Sequence, residues 1–232
     1  MIYVVSDIHG CYHTFMELLN KISFSKDDTM ICLGDIIDRG LHNLKLLDMF
    51  IENDNMILIK GNHEFFYECW IQSFLSEKEW AGFGGRTTID ELKQISKNDI
   101  LDYYFFIKNL PLYYECNDFI MSHNGFNSTF PFVKDNNGVI LVKETIDKQW
   151  ATHPYNFIIS SDIHRKLPNI QLNKRLIVGH YPTPFLGSDS IIHKPQYIAI
   201  DGGATYKNGK LACLRLDDLA EFYMKINAND IP

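Results

Sequence analysis

Met30-Ile31-Cys32-Leu33-Gly34-Asp35-Ile36-Ile37-Asp38-Arg39-Gly40 is the stretch whose reading decides the fold. Four apolar residues in a row read as a strand buried on both faces. The strand gives way to a glycine, two carboxylates and a guanidinium. The same grammar flanks it. Ile2-Tyr3-Val4-Val5 leads into Asp7-Ile8-His9-Gly10, and Met56-Ile57-Leu58-Ile59 leads into Gly61-Asn62-His63-Glu64. From Asp7 to Asp35 is 28 residues and from Asp35 to Asn62 is 27, enough for one strand, one helix and one return. Phe15, Leu18, Leu19 and Ile22, then Leu44, Leu47, Phe50 and Ile51, fall at helical spacing and predict helices over 11–22 and 42–53. A βαβαβ unit with right-handed crossovers sets its strand ends side by side on one edge. That edge is where an open α/β sheet holds ligands.

Outward from this unit the pattern changes. Phe65 to Leu75, Arg86 to Ile95 and Asp99 to Ile107 carry apolar residues at helical spacing, with Gly82-Phe83-Gly84-Gly85 as a loop between them. This predicts a helical cap beside the site. After Pro111 strands are expected at 112–116, 119–122, 176–179, 197–200 and 211–216, two of them ending at Ser122-His123-Asn124-Gly125 and Gly179-His180. Residues 126–174 are polar and irregular, too long for an ordinary connection, and read as a functional excursion. With no repeat or linker, residues 1–232 read as one domain.

Hydrophobic residues make up 46% of the chain, enough for a sizeable core, and the net charge is −7. That balance argues against a nucleic-acid-binding face, which rewards Lys and Arg clusters. A phosphate can still be held locally if metal ions and a few arginines invert the field. Five widely spaced cysteines without a Cys-x-x-Cys argue against a disulfide framework or a thiolate zinc site. No secretory leader and no 18-residue apolar stretch is evident, so a cytoplasmic protein without a membrane partner is expected.

Asp7 and His9, two apart at a strand end, can grip one cation from one side. Asp35 can bridge two, because its oxygens offer separate lone pairs. Asn62, at the end of the third strand, can add a carbonyl oxygen. His123 and His180 bring the candidate ligands to six: Asp7, His9, Asp35, Asn62, His123 and His180. Arg39 offers a permanently charged fork for phosphate oxygens. His63 suits a general acid, with Asp38 orienting its ring. Ser161-Asp162-Ile163-His164 repeats Ser6-Asp7-Ile8-His9, but Arg165-Lys166 follows it instead of a glycine and an amphipathic helix, and the repeat is read as chance.

The ordered set Asp-x-His-Gly, Gly-Asp-x-x-Asp-Arg-Gly, Gly-Asn-His-Glu, His-x-Gly and Gly-His resembles the calcineurin-like metallophosphoesterases. More narrowly it resembles the phosphoprotein phosphatase branch, which includes bacterial and phage serine/threonine phosphatases and symmetrical diadenosine tetraphosphatases. Gly84-Gly85 with Thr88, and Asp201-Gly202-Gly203, resemble further segments of the bacterial members. The resemblance implies an α/β four-layer sandwich, two mixed sheets flanked by helices. It implies that Asp7, His9 and Asp35 hold one metal and that Asp35, Asn62, His123 and His180 hold the other. Arg39 and Asn62 would contact substrate. The family usually supplies a second arginine after a Trp; here Trp150 is followed by Ala151, and Arg165 is the nearest candidate. Asn124 stands where a small residue is usual, which would alter the rim.

These residues predict direct hydrolysis by a water activated between two divalent metals, without a covalent phosphoenzyme. The sulfur-free donor set suits Mn, with Fe or Zn as alternatives. The first-choice substrate is a phosphoserine/phosphothreonine protein; a dinucleoside polyphosphate such as bis(5'-nucleosyl) tetraphosphate is the alternative. A non-catalytic scaffold would show gaps in the ligand set, and the six positions have none. The sequence leaves the oligomeric state open.

Overall fold

A computed structural model describes residues 1–126, 131–152 and 171–232. Two five-stranded mixed sheets pack face to face. The first has the order β10-β9-β1-β2-β3, from Glu221–Lys225, Lys210–Arg215, Ile2–Val5, Thr29–Cys32 and Met56–Leu58. The second has the order β4-β5-β6-β8-β7, from Tyr113–Cys116, Phe119–Ser122, Arg175–Val178, Tyr197–Ala199 and Ile192–His193. The parallel centre of each sheet comes from the predicted apolar runs: β1, β2 and β3 run parallel, as do β5, β6 and β8.

Alternation along these strands builds the layers. Val4, Ile31, Met121, Ile177 and Ile198 point between the sheets. Their neighbours Tyr3, Val5, Met30 and Cys32 point outward under helices α1 (Tyr12–Lys21) and α2 (Asn43–Glu52). On the far side Ile120, Leu176 and Val178 meet Val142 and Ile146 of α7 (Val142–Thr152). Helices, sheet, sheet and helix make the expected four-layer sandwich.

The cap is helical as predicted, with different boundaries. Helix α3 spans Asn62–Ile71, so Asn62 and His63 open a helix instead of ending a strand. Strand β3 stops at Leu58, Gly61 takes extended backbone, and the Glu64 carboxylate accepts the Gly61 N–H at 2.9 Å. The glycine run is a wide helical turn over Ala81–Gly85, joining α4 (Glu77–Trp80) to α5 (Arg86–Leu92). Only Gly84, at φ 108°, leaves helical geometry, and its carbonyl accepts the Arg39 N–H at 2.9 Å. Helix α6 spans Lys97–Lys108. Helix α7 falls inside the stretch read as irregular; Val142, Thr145, Ile146 and Gln149 form its buried stripe, half of it polar. The five cysteines are free thiols, and burial pushes Cys11 and Cys213 up to about 12. Among the described residues no helix is long and apolar enough to cross a membrane.

Candidate metal centre

The site lies where strand ends of both sheets meet. Asp7 follows β1, Asp35 follows β2, Asn62 opens α3 after β3, His123 follows β5 and His180 follows β6. The backbone turns sharply there. Asp7, His9, Asp35, Asp38, Arg39 and His180 have φ of 54°, 47°, 56°, 73°, 70° and 65°, the left-handed region. Such conformations cost roughly 1–3 kcal/mol each where a non-glycine residue is held in them, and they gather at functional sites. Asp7 and His9 are therefore not successive same-side residues of a strand. The turn itself aims both inward, with His9 Nε2 4.0 Å from Asp7 Oδ1. Gly179 lets the sheets close: a Cβ there would overlap the side chains of Ser6 and Asp7.

The six expected ligands converge. Asp35 Oδ2 stands 3.4 Å from His123 Nε2 and 3.8 Å from His9 Nε2. Asn62 Oδ1 lies 2.9 Å from His123 Nε2 and 2.8 Å from His180 Nδ1. The His180 backbone N–H donates to Asp7 at 2.9 Å, and Ser6 Oγ donates to the same carboxylate oxygen. The His9 and His123 rings are held from behind, Nδ1–H donating to the carbonyls of Ile37 at 2.9 Å and Leu33 at 2.6 Å. That leaves each Nε2 as a lone pair facing the centre, the arrangement a metal ligand requires. Burial, then the Arg39 charge, holds His9 well below the usual imidazole range, and burial lowers His123. Burial, then the Asp7 charge, pushes Asp35 and Asp201 well above the usual carboxylate range. The His123 lone pair thus faces the Asn62 carbonyl oxygen, acceptor against acceptor, beside several buried carboxylates. A divalent cation fits this donor set.

The catalytic candidates form a second group. His63 Nδ1 lies 2.6 Å from Asp38 Oδ2. Asp38 is fully buried and accepts further bonds from Trp80 Nε1 at 2.8 Å and Thr88 Oγ1 at 2.5 Å. Arg39 Nη2 donates to His63 Nε2 at 3.2 Å. His63 also stands 3.8 Å from Asp35 Oδ2, close enough for the His9–Asp35–His63 set to hold a cation geometrically, but both its ring nitrogens are already engaged.

Sequence reasoning missed the supports. Glu64 is fully buried and accepts the backbone N–H groups of Asp35, Ile36 and Gly61 at 2.8, 2.9 and 2.9 Å, fixing the turn that carries Asp35. Its spacing from Gly61 was a readable capping signal. Trp80 left no such signal. Asp201, from the Asp-Gly-Gly segment, is buried and accepts the Gly203 N–H at 2.7 Å. Asn124 is fully buried, so it does not shape the rim as expected. Arg165 and the 161–164 repeat lie outside the described residues.

Oxygen and imidazole donors gathered at the strand ends of an α/β sandwich define the class of metal-centred α/β hydrolases. The chain belongs to the calcineurin-like phosphoesterase family, whose description matches residues 1–209. It is 27% identical over 176 residues to the symmetrical bis(5'-nucleosyl)-tetraphosphatase of Buchnera aphidicola subsp. Baizongia pistaciae, covering 71% of this chain and 58% of that protein. It is 45% identical over 64 residues to serine/threonine-protein phosphatase 2 of Salmonella typhimurium, covering 27% of this chain and 29% of that one. The aligned part therefore spans little more than half of the first relative and under a third of the second. The fold is shared with the cold-active protein-tyrosine phosphatase of the psychrophile Shewanella sp., at TM-score 0.60 and 17% identity over 96% of this chain and 80% of that one.

Proposed function

We propose that the chain hydrolyses phosphoesters by direct displacement at a dinuclear metal centre. The observation that carries this reading is the convergence of Asp35 Oδ2, Asn62 Oδ1 and the inward imidazole nitrogens beside the Arg39–His63–Asp38 group. Asp7, His9 and Asp35 would hold one cation, and Asp35, Asn62, His123 and His180 the other, with Mn the best match and Fe or Zn possible for these donors. When bound, the pair would supply an activated water and neutralise charge on the phosphoryl group.

The chain's own residues do the rest. Arg39 takes the non-bridging oxygens with a fork that matches them. In the geometry described, its Nη2 donates to His63 Nε2, and His63 Nδ1–H donates to Asp38. A phosphoryl group that draws Arg39 away frees Nε2 to take up a proton from solvent, which the ring then gives to the leaving oxygen. Asp38, held by Trp80 and Thr88, keeps the ring turned so that Nε2 faces the reaction.

The sequence alone ranks a phosphoserine/phosphothreonine protein first. Two observations support ranking a dinucleoside polyphosphate above it. The tetraphosphatase relative covers most of this chain. Exposed aromatic rings also stand on both sides of the pair: Phe83 stacks on Phe66 next to His63, and Tyr206 lies 5.4 Å from the Arg39 guanidinium with Phe185 edge-on to it. Such faces suit a nucleobase. The test is a Mn-supplemented panel of diadenosine tetraphosphate, phosphopeptides, p-nitrophenyl phosphate and a cyclic-nucleotide diester. The reading expects p-nitrophenyl phosphate to turn over and diadenosine tetraphosphate to give the highest kcat/KM. No cleavage of any of the four would overturn the hydrolase reading and revive the scaffold.

A further inference from the structure

Arg39 opens onto a hollow lined also by Thr205, Tyr206, Ile231 and Pro232. Thr205, Tyr206 and Ile231 also line an adjoining trough of about 520 Å³, whose wall carries Lys207, Lys210 and Lys225. No Asp or Glu is among its described lining residues. Elsewhere in this acidic chain Lys60, Lys93, Lys143 and Lys174 each meet a carboxylate. Among the described residues the three trough lysines make no such pair; Lys210 Nζ instead sits 4.5 Å above the Tyr223 ring.

A second observation is independent of the cavity. Lys210 and Lys225 are directly opposed across the antiparallel β9–β10 pair. Like charges at such a position disfavour the pairing. An anion between them would reverse the sign of that contact. Lys207 comes from the loop after Asp201-Gly202-Gly203, so strand ends and loop bring three lysines to the lining of one trough, which shares Thr205, Tyr206 and Ile231 with the Arg39 hollow.

We propose that this trough is an anion subsite for the distal phosphates of a substrate whose nearer phosphoryl group lies at Arg39: a polyphosphate chain, as in a dinucleoside polyphosphate. This rests on the reading of Arg39 as the phosphoryl-binding residue. Ammonium groups act as point charges suited to phosphate oxygens. The floor of Ala204, Ile226 and Ile231 with the exposed Tyr206 ring offers an apolar surface for the attached nucleoside. A monoester such as p-nitrophenyl phosphate ends at Arg39 and never reaches the lysines.

The experiment compares the wild type with the double variants Lys207→Ala/Lys225→Ala and Lys207→Arg/Lys225→Arg in two measurements. Both lysines are exposed, and a melting curve checks that folding is intact. The first measurement is ATP affinity by calorimetry. The second is the ratio of kcat/KM for diadenosine tetraphosphate to that for p-nitrophenyl phosphate, with Mn. The alanine variant is expected to lose about tenfold in both, and the arginine variant to keep most of each, since hydrogen bonds to charged groups are worth that much or more. Unchanged ATP affinity in the alanine variant overturns the trough whatever the kinetics show. Weakened ATP binding in a chain that cleaves no substrate supports the trough and sinks the hydrolase reading alone.

Discussion

At Asp38 three side-chain donors meet one fully buried carboxylate, and none is close in sequence. His63, Trp80 and Thr88 lie 25, 42 and 50 residues away. Trp80→Phe keeps the ring packing and removes the Nε1–H. Losing one bond to a buried charge costs about 1–3 kcal/mol, so kcat is expected to fall roughly tenfold with KM nearly constant; steady-state kinetics would show it, and a change in KM alone would refute a positioning role. His63→Ala should lower kcat by about 10²–10⁴-fold for an alkyl phosphate and far less for p-nitrophenyl phosphate, whose leaving group needs no proton. Equal losses on both would exclude proton delivery. The residues that converge at the candidate site were legible because Asp, His and Asn recur after apolar runs, where bland packing has no use for them. Trp80 and Glu64 were not, because their partners are chosen by tertiary proximity and their residue types also suit ordinary roles.

Helix α1 shows what local pattern cannot reach. Its N-terminal N–H groups at His13 and Thr14 donate at 2.9 and 2.7 Å to Asp230, which is fully buried and more than two hundred positions away. Replacing a capping Asp by Ala typically costs about 0.5–2 kcal/mol. Asp230→Ala should fall at the upper end, because Thr14 Oγ1 loses the same partner. A urea titration checks it, and an unchanged midpoint would rule out a capping role. Strands β1 to β3 were readable as unbroken apolar runs between helical repeats. Strand β10 was not: Glu221–Lys225 sits at the sheet edge, half-exposed, with too few fully buried residues to write a period. Helix α7 escaped because Thr145 and Gln149 fill its buried stripe. The start of α3 was displaced because Asn62 and His63 read equally well as a strand end.

Across the whole molecule, four buried carboxylates gather at the candidate site: Asp7, Asp35, Glu64 and Asp201 are all at most 3% exposed, while Asp230 and the Lys60–Glu68 pair are buried elsewhere. Chelator-treated protein should therefore melt at a lower temperature, and added Mn should raise the midpoint in a concentration-dependent way, since a ligand bound only by the folded state stabilises by mass action. Differential scanning fluorimetry at stepwise Mn concentrations tests this; no shift at saturating Mn would count against the ligand set. Asp7, Asp35 and Asn62 ride on one sheet, His123 and His180 on the other. Cations shared among them would act as rivets between two plates that otherwise adhere through apolar packing and a few hydrogen bonds, among them His123 Nδ1–H to the Leu33 carbonyl and the His180 N–H to Asp7. Separating the plates and releasing the ions would then be one event. Amide exchange in β2 and in β6, on opposite sheets, should slow together when the metal is added, though neither strand contains a ligand.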